Sequence, residues 1–268
     1  ATVGGTMTVQ ENENLVSLAL PALTNVGGEL LIGDGNIATF TAAALTTIGH
    51  GAQFSEVPLT TLDLPKLATI DGYLRVEHLG ALTSVNLPLL ATVGLSPNVN
   101  NIGSENDNGD FLTVDNLEAL VTWGRPALTK VAGPLTVSQT SSLTTLTIPA
   151  VTNLGALVLS SNESLVTLDI TKLAVVGGSF DEQPGIHIQT NGFTTLTGPA
   201  LVQTDALSLI DNDALVSFNF PALTFVDEEG LRLDSNDALT GIGLALLADV
   251  AGNVSLDANA ALLTVDLP

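Results

Sequence analysis

The stretch NENLVSLALPALTNVGGELLI, residues 12–32, decides the fold because close copies of it recur along the chain. One copy, NESLVTLDITKLAVVGGSF, begins at Asn162, and another, NDALVSFNFPALTFVDEEGLRL, begins at Asn212. The copies share the pattern N-x-x-L-x-x-L-x-L-P-x-L-x-x-V-G-G-x-L-x-V. Its L-x-V element returns at intervals that are mostly 21 to 24 residues long. This periodicity indicates a repeat protein of about eleven coils of roughly 23 residues each.

The two short elements of the repeat, L-x-L-P and L-x-V, alternate apolar and polar residues, as strands with one buried face do. Proline withholds a backbone donor and ends the first strand, and V-G-G is expected to turn a tight corner with glycine at positive φ. One coil of this kind cannot bury its own apolar side, but stacked coils can. The sequence therefore predicts an all-β fold, a parallel β-solenoid like the leucine-rich repeats, in one domain over residues 1–268.

Asparagine recurs at one position of the repeat, three residues after the last apolar residue of an L-x-V strand. Stacked coils would place these side chains over one another, where amides can hydrogen-bond to each other and to the corner backbone. Asparagine is also a favoured turn residue without any ladder. Six occurrences in register favour the ladder, at Asn12, Asn162, Asn191, Asn212, Asn236 and Asn259.

Three segments carry a resemblance to a known family: LPALTNVGGELLI at 20–32, LPKLATIDGYLRV at 64–76 and FPALTFVDEEGLRL at 220–233. Their spacing resembles the receptor L-domain family of insulin- and epidermal-growth-factor-type receptors, and more closely its cysteine-free relatives in fungal cell-wall and bacterial surface proteins. The pattern covers nearly the whole chain. The resemblance implies a leucine-rich solenoid at a cell surface. Receptor L domains carry disulfides, and because this chain has no Cys, receptor function is not carried over.

The charge of the chain excludes several partners. It has 28 acidic residues against 6 basic ones, for a net charge of −22. A nucleic-acid surface needs clustered Lys and Arg, which are scattered here, so no nucleic acid is expected as a partner. No apolar run approaches the roughly 18 residues of a membrane span, so no membrane insertion is expected. The acidity, the opening at Ala1 and the family resemblance predict an extracellular or cell-surface protein.

No catalytic motif emerges from the sequence. The three histidines, His50, His78 and His187, match no metal-ligand spacing, and neither a G-x-S-x-G elbow nor a P-loop occurs. His187 lies in the outward slot of I-H-I, where a solvated side chain is the ordinary interpretation. An enzyme acting on polysaccharide would need carboxylates clustered on one strand face, which the repeat does not show. The sequence thus predicts a protein that is not an enzyme.

Calcium is the only cofactor that the sequence suggests. The segment SENDNGD, residues 104–110, concentrates Glu105, Asp107 and Asp110 in one short loop, as hard cations require. We predict a weak Ca²⁺ site there, aided by the acidic run at 227–229. The loop lacks the twelve-residue EF-hand pattern, and a solvated acidic loop is the alternative.

Two insertions interrupt the repeat at the same point, after V-G-G and before L-x-V. They occupy residues 94–111 and 177–185, and stacking would make both project from one edge of the solenoid. Loops on a rigid scaffold commonly carry recognition, so these loops are candidates for binding a surface polysaccharide or a protein ligand. Drift in tolerant corners is the alternative interpretation.

Threonine pairs recur as well, for example at 60–61 and 144–145. A flat threonine array on a β-solenoid can match the ice lattice, which makes ice binding a minor alternative. Val, Ser, Lys and Asp interrupt the corresponding slots, and threonine is in any case a strong strand former.

The two ends of the sequence read as two parts of one repeat. The chain opens with ATVGGTMTV and closes with ALLTVDLP, and joined tail to head they form an almost complete repeat. Either the chain is a segment of a longer solenoid, or identical protomers stack end to end. The leading prediction is an extracellular structural protein that forms a head-to-tail homopolymer. The alternative is a surface adhesion or ligand-binding module that uses the two edge loops.

Overall fold

The computed structural model describes residues 1–94, 111–177, 185–263 and 265. This part of the chain is all-β, and it winds through about 10 turns whose equivalent residues lie about 23 positions apart. It contains no helix that could span a membrane. The predicted parallel β-solenoid is confirmed.

Thirty short strands make up the described solenoid. In chain order they are β1 Thr2–Val3, β2 Met7–Val9, β3 Ser17–Ala19, β4 Asn25–Val26, β5 Leu30–Ile32, β6 Thr39–Thr41, β7 Thr47–Ile48, β8 Ala52–Ser55, β9 Thr61–Asp63, β10 Thr69–Ile70, β11 Leu74–Glu77, β12 Ser84–Asn86, β13 Thr92–Val93, β14 Leu112–Asp115, β15 Thr122–Gly124, β16 Lys130–Val131, β17 Leu135–Ser138, β18 Thr145–Thr147, β19 Asn153–Leu154, β20 Ala156–Asn162, β21 Thr167–Asp169, β22 Val175–Val176, β23 Gly185–Asn191, β24 Thr195–Thr197, β25 Gln203–Ile210, β26 Ser217–Asn219, β27 Phe225–Asp234, β28 Gly241–Gly243, β29 Asp249–Val250 and β30 Val254–Ser255.

Each coil contributes strands to three columns, which we name by their place in the coil. The first column holds the L-x-V strands and runs unbroken from β2 to β30. The second column holds the L-x-L strands and is divided into three sheets: β3-β6-β9-β12, β15-β18-β21 and β24-β26-β28. The third column holds mostly two-residue strands, such as β10 and β13. All pairings are parallel, because every coil returns to the same column in the same direction.

The core is a continuous stack of aliphatic side chains. Along each strand alternate residues face inward, as with Leu30 and Ile32 on β5, which are almost wholly buried. Each neighbouring coil repeats this arrangement, so the inward residue of one coil packs on its equivalents above and below. Fully burying such a side chain contributes about 1.5–3 kcal/mol before entropy is subtracted. Stability therefore accumulates coil by coil.

The corner after the second column is a hydrogen-bonded turn. The amide of Leu23 donates to the carbonyl of Leu20 at 3.1 Å, and the next turns repeat this bond, as between Leu67 and Leu64. Proline follows the first residue of several of these turns, as Pro21 does. Its fixed φ suits that position, and it has no donor to extend the strand. The strand ends at the same point in coils without proline, such as those of β6 and β21, so proline suits this turn but is not what ends the L-x-L strand.

The V-G-G corner differs from expectation. Positive φ was predicted for its glycines, yet Gly27 and Gly28 are not among the left-handed residues. These glycines are needed because consecutive coils approach closely: a Cβ on Gly27 would lie 2.6 Å from the carbonyl oxygen of Gly4 in the preceding coil. The prediction of positive φ was wrong at Gly27 and Gly28, where close stacking explains the glycine instead, and it holds at the equivalent Gly94, with a φ of 77°, and at Gly177, with a φ of 151°.

Left-handed backbone occurs two residues after each L-x-V element, and there it is not glycine. The described coils hold one such residue each, with φ between 46° and 56°: Glu11, Asp34, Glu56, His78, Asn116, Gln139, Ser161, Thr190, Asp211, Ser235 and Ala258. This conformation costs an L-residue about 1–2 kcal/mol. The stack of coils imposes the same turn on side chains of very different chemistry.

The asparagine ladder follows directly after this turn and is confirmed over five coils. Asn162 Nδ2 donates to Asn191 Oδ1 at 3.0 Å, and Asn212 Nδ2 donates to Asn236 Oδ1 at 3.3 Å. The Oδ1 of Asn212 also accepts the backbone N–H of Asn191. The series ends at Asn259, whose Oδ1 accepts from Asn236.

Asn12 does not join the ladder. It is exposed and donates to the carbonyl of Gln10. The equivalent position of the next coil is Gly35, which offers no amide partner.

Candidate ligand-binding site

The residues predicted to bind calcium lie in two places. Glu105, Asp107 and Asp110 lie outside the described residues, as do most of the insertions at 94–111 and 177–185, so these predictions stay predictions. The acidic run at 227–229 lies in β27, with Glu228 and Glu229 exposed. Within the described ranges, no group of three His, Asp or Glu side chains is placed to hold a metal ion.

The second column of strands is broken at two joints. The strand β12 does not pair with β15, and β21 does not pair with β24, although the first column continues past both joints. In each case the chain between the two unpaired strands contains one of the two insertions. The longer coils thus coincide with the interruptions of this column.

Trp123 fills the interior at the first joint. It lies on β15 at the inward position that is Leu62 on β9 and Leu146 on β18. Its side chain is fully buried. An indole is much larger than a leucine, and the unpaired joint between β12 and β15 gives it room.

Arg125 occupies a core position next to Trp123. It directly follows β15, where the other coils carry Leu64, Leu87 or Ile148, and it is only 3% exposed. Its backbone keeps the regular pattern, because its amide donates to the carbonyl of Thr147 as the amide of Leu64 donates to that of Asn86. The substitution of a cation for an aliphatic residue is therefore local to the side chain.

The broken joint supplies part of what the guanidinium contacts. The Nη1 atom of Arg125 donates to the carbonyl of Gly124 at 2.6 Å and lies 3.4 Å from the carbonyl of Val85 across the joint. The carbonyl of Gly124 is equivalent to that of Asn86, which accepts a backbone amide in an intact joint. The Cζ atom of Arg125 lies 3.9 Å from the centroid of the Trp123 ring, which is a cation–π contact.

Three nitrogen atoms at this site have no acceptor among the described residues: Nε and Nη2 of Arg125, and Nε1 of Trp123. No carboxylate of those residues forms an ion pair with Arg125. Burial lowers the pKa of Arg125 to about 9. The guanidinium therefore remains protonated at neutral pH and carries an uncompensated positive charge.

A cavity of about 270 Å³ opens at this joint, and we call it the Arg125 cleft. It lies between β12, β15 and β18. Besides Trp123 and Arg125, its lining is formed by hydroxyl-bearing residues and short backbone segments: Thr83, Ser84, Val85, Thr122, Gly124, Thr145 and Thr147. The absence of a side chain at Gly124 keeps the cleft open. The cleft presents hydrogen-bond donors and one positive charge.

A second charged cluster lies on the first column. Arg75 lies over the rings of Phe111 and Tyr73, which stack with 5.6 Å between centroids. It also pairs with Glu77 at 3.9 Å, and the pKa of Glu77 is raised, chiefly by burial and also by Asp115. Arg75 is thus compensated by a carboxylate and two rings, in contrast to Arg125.

The histidines do not assemble a catalytic group within the described chain. His78 has a left-handed backbone, and its Nε2 lies 3.9 Å from a carboxylate oxygen of Asp115. His187 is half-buried on β23, in the outward slot that I-H-I indicated. Neither lies in the Arg125 cleft.

The threonines form a column without forming a uniform plane. The first outward position of the second column carries a hydroxyl on most strands, as at Thr61 on β9 and Thr145 on β18. The next outward position changes from Thr147 to Asp169 on adjacent coils. Ice binding stays a minor prediction.

The sequence analysis missed the Arg125 cleft. The signal was present, because WGRP at 123–126 stands where TLDLP or LTIP occurs in other coils, with arginine in the second apolar slot. We had interpreted the six basic residues only as scattered charges.

Comparison with protein-family models finds no match. No curated protein matches the chain either.

Proposed function

We propose that the chain is a ligand-binding solenoid that is not an enzyme, and that Arg125 holds an anionic group of the ligand in the Arg125 cleft. The observation that carries the proposal is that Arg125, a cation, occupies a core position. Two of its nitrogens, Nε and Nη2, find no hydrogen-bond acceptor among the described residues. Leaving a buried charge unpaired costs about 3–5 kcal/mol. A solenoid built only for stability would carry leucine here, as the neighbouring coils do.

This proposal develops the binding alternative from the sequence and moves its centre from the edge loops to the second column. It is supported by the charge distribution. The chain carries 28 acidic residues, and the protein as a whole repels anions. A single desolvated cation on such a surface selects for one negative group that fits the cleft, because binding elsewhere is unfavourable.

The test is thermal unfolding of the full chain in acetate, sulfate and chloride at constant ionic strength. We expect at least one of these anions to raise the Tm of the native protein in a saturable way. The rise should be absent in Arg125→Leu. The matched control is Arg232→Leu, which removes one charge from an exposed arginine paired with Asp234. Equal shifts in all three proteins, or none in any, would reject the proposal.

We also propose that the protein acts outside the cell or on its surface. The acidity of the chain and the resemblance of its repeat to cysteine-free L domains support this location. Fractionation of the source cells with an antibody against the purified chain would test it. Recovery of the protein with the cytosol alone would contradict the proposal.

Head-to-tail stacking into a filament is a second proposal, supported by the regular register of the strands. The strands β2 and β3 each pair on one side only among the described residues, so a further coil can add to them in parallel. Salt should favour stacking because it screens the net charge of −22. Light scattering and electron microscopy across salt and calcium concentrations test this, and monomers under all conditions would exclude it.

A further inference from the structure

We infer that the ligand of the Arg125 cleft is a sugar acid, held through its carboxylate by the free edge of the guanidinium. This inference rests on the proposed binding function and specifies the ligand class. It covers both a free sugar acid and a uronate unit within an acidic polysaccharide, because the recognising chemistry is the same.

The first argument is the geometry of the unpartnered donors. The Nη1 atom of Arg125 is occupied by backbone carbonyls, whereas Nε and Nη2 have no acceptor among the described residues. These two nitrogens share one edge of the planar group and present two parallel N–H bonds. A carboxylate matches that fork with its two oxygens. Both nitrogens are buried and have no acceptor among the described residues, and this is the edge of an arginine that binds a carboxylate side-on.

The second argument is the amount of charge. The cleft offers one cation and no second Lys or Arg in its lining. The rest of the chain is strongly acidic. A group with a single negative charge is therefore repelled less by the protein than a doubly charged sulfate or phosphate would be. The remaining ligand atoms should be uncharged.

The third argument is the chemistry of the remaining lining. Four threonines and one serine surround the arginine, and no carboxylate is found among the described residues that line the cleft. Each hydroxyl can donate and accept a hydrogen bond, as ligand hydroxyls also can. A volume of about 270 Å³ accommodates a molecule the size of one sugar ring.

The ring face of Trp123 does not serve the sugar. The guanidinium lies 3.9 Å above it, and the indole is fully buried. Its role is to hold Arg125 in place. Recognition of the ring therefore depends on hydroxyl groups.

The experiment is calorimetric titration of the full chain with glucuronate, galacturonate, glucose, acetate and sulfate at pH 7. We expect a uronate to bind one to one, at least tenfold more tightly than acetate, and glucose to give no heat. Arg125→Leu should lose the uronate affinity by at least tenfold, whereas Arg232→Leu should retain it. A uronate oligomer measured beside the monomer distinguishes a polysaccharide from a free acid by tighter binding of the oligomer.

The hydroxyl contribution is tested by Thr147→Val. This variant should weaken uronate binding several-fold and leave acetate binding unchanged, because acetate has no hydroxyls to pair with Thr147. Val keeps the shape and the strand preference of Thr. Because we propose that the chain is not an enzyme, the uronate recovered after titration of the native protein should give an unchanged NMR spectrum.

The outcomes separate this inference from the proposed function. If acetate or sulfate binds through Arg125 as tightly as either uronate, the cleft is a general anion site and the sugar-acid inference fails. If no anion binds and Arg125→Leu changes nothing, both fail. Uronate binding that survives Arg125→Leu would overturn the carboxylate contact itself.

Discussion

The coils before and after the Arg125 cleft fill the same corner with different side chains, apolar in one region and polar in the other. In the three coils before it, the residue that follows the left-handed turn is apolar: Val57, Leu79 and Leu117. After it, beginning with Thr140, the same position carries the hydrogen-bonded ladder from Asn162 to Asn259. The backbone turn is left-handed in both regions.

The difference teaches how coils are coupled. An apolar corner gains free energy from area removed from water and tolerates small changes of shape. An amide in the ladder bonds to the coil before it and the coil after it, so its loss leaves partners on both sides unsatisfied. Neighbouring coils are therefore coupled more strongly in the second region, and we expect them to unfold more cooperatively.

The largest expected effect is the loss of one rung. Asn212→Leu should lower the free energy of unfolding by about 4 kcal/mol, because the N–H of Asn191 and the carbonyl of Ile188 lose their partner. Urea denaturation measures this change. A loss below about 1 kcal/mol would show that the ladder is dispensable.

The reverse exchange tests the apolar region. Leu79→Asn should destabilise by about 3 kcal/mol, because a buried amide gains no neighbouring amide between Val57 and Leu117. The control is the double variant Leu79→Asn with Val57→Asn, in which two amides become neighbours. We expect the double variant to lose less free energy of unfolding than the single variants Leu79→Asn and Val57→Asn lose together. Strict additivity of the two losses would argue against ladder formation.

Replacement of the buried cation should stabilise the ligand-free protein. Arg125→Leu restores the aliphatic slot of Leu64 and Leu87, and we expect a gain of about 2 kcal/mol in urea denaturation. Because leucine is smaller, part of the gain is offset by the cavity that it leaves. Arg232→Leu serves as the control with no gain. A strong loss of stability in Arg125→Leu would mean that the arginine is structural.

The same arginine should make stability depend on alkaline pH. Burial lowers its pKa to about 9 in the folded chain, well below the value in the unfolded chain, so below pH 9 both states hold the proton and the full burial penalty applies. Above pH 9 the folded state releases the proton first, and the penalty falls. At pH 10 the stability difference between native protein and Arg125→Leu should have shrunk by about 1.4 kcal/mol relative to pH 8. A difference independent of pH would contradict this.

The smallest expected effect concerns the shared turn. Thr190 is β-branched and has a φ of 54°, a conformation that asparagine tolerates better. Thr190→Asn should therefore stabilise the protein by about 1 kcal/mol in the same denaturation assay. The control Thr197→Asn, on an exposed strand position, should change stability by less than about 0.5 kcal/mol. Destabilisation by Thr190→Asn would show that the turn favours the threonine side chain.

The columns of the solenoid were readable from the sequence because each depends on a pattern repeated many times. The L-x-V strand, the proline that follows many L-x-L strands and the asparagine rungs all recur at one period, so each copy supports the others. The role of Gly27 was not readable, because a close approach between coils leaves the same letter as a left-handed turn. The left-handed column was hidden for a similar reason: residues as different as Asp34 and Ala258 share it.

The Arg125 cleft was harder to predict because it is an exception to the period. One arginine in an apolar slot is visible in the sequence, but its lack of an acceptor depends on which carbonyls a neighbouring coil leaves free. That follows from the unpaired strands β12 and β15, which belong to coils separated by an insertion. Repetition predicts the scaffold, and departures from it require coordinates.

The joint between β12 and β15 also has a mechanical meaning. A rod pulled along its axis carries load through every column of strands, and at this joint the second column contributes no strand pairing. The first and third columns, through β11–β14 and β13–β16, hold the two halves together alone. Tension would open the rod on the side of the cleft, and a ligand that bridged Arg125 and the hydroxyls of Thr83 and Ser84 would resist that opening. Under load, a ligand bound in the cleft would therefore help to hold the two halves of the rod together.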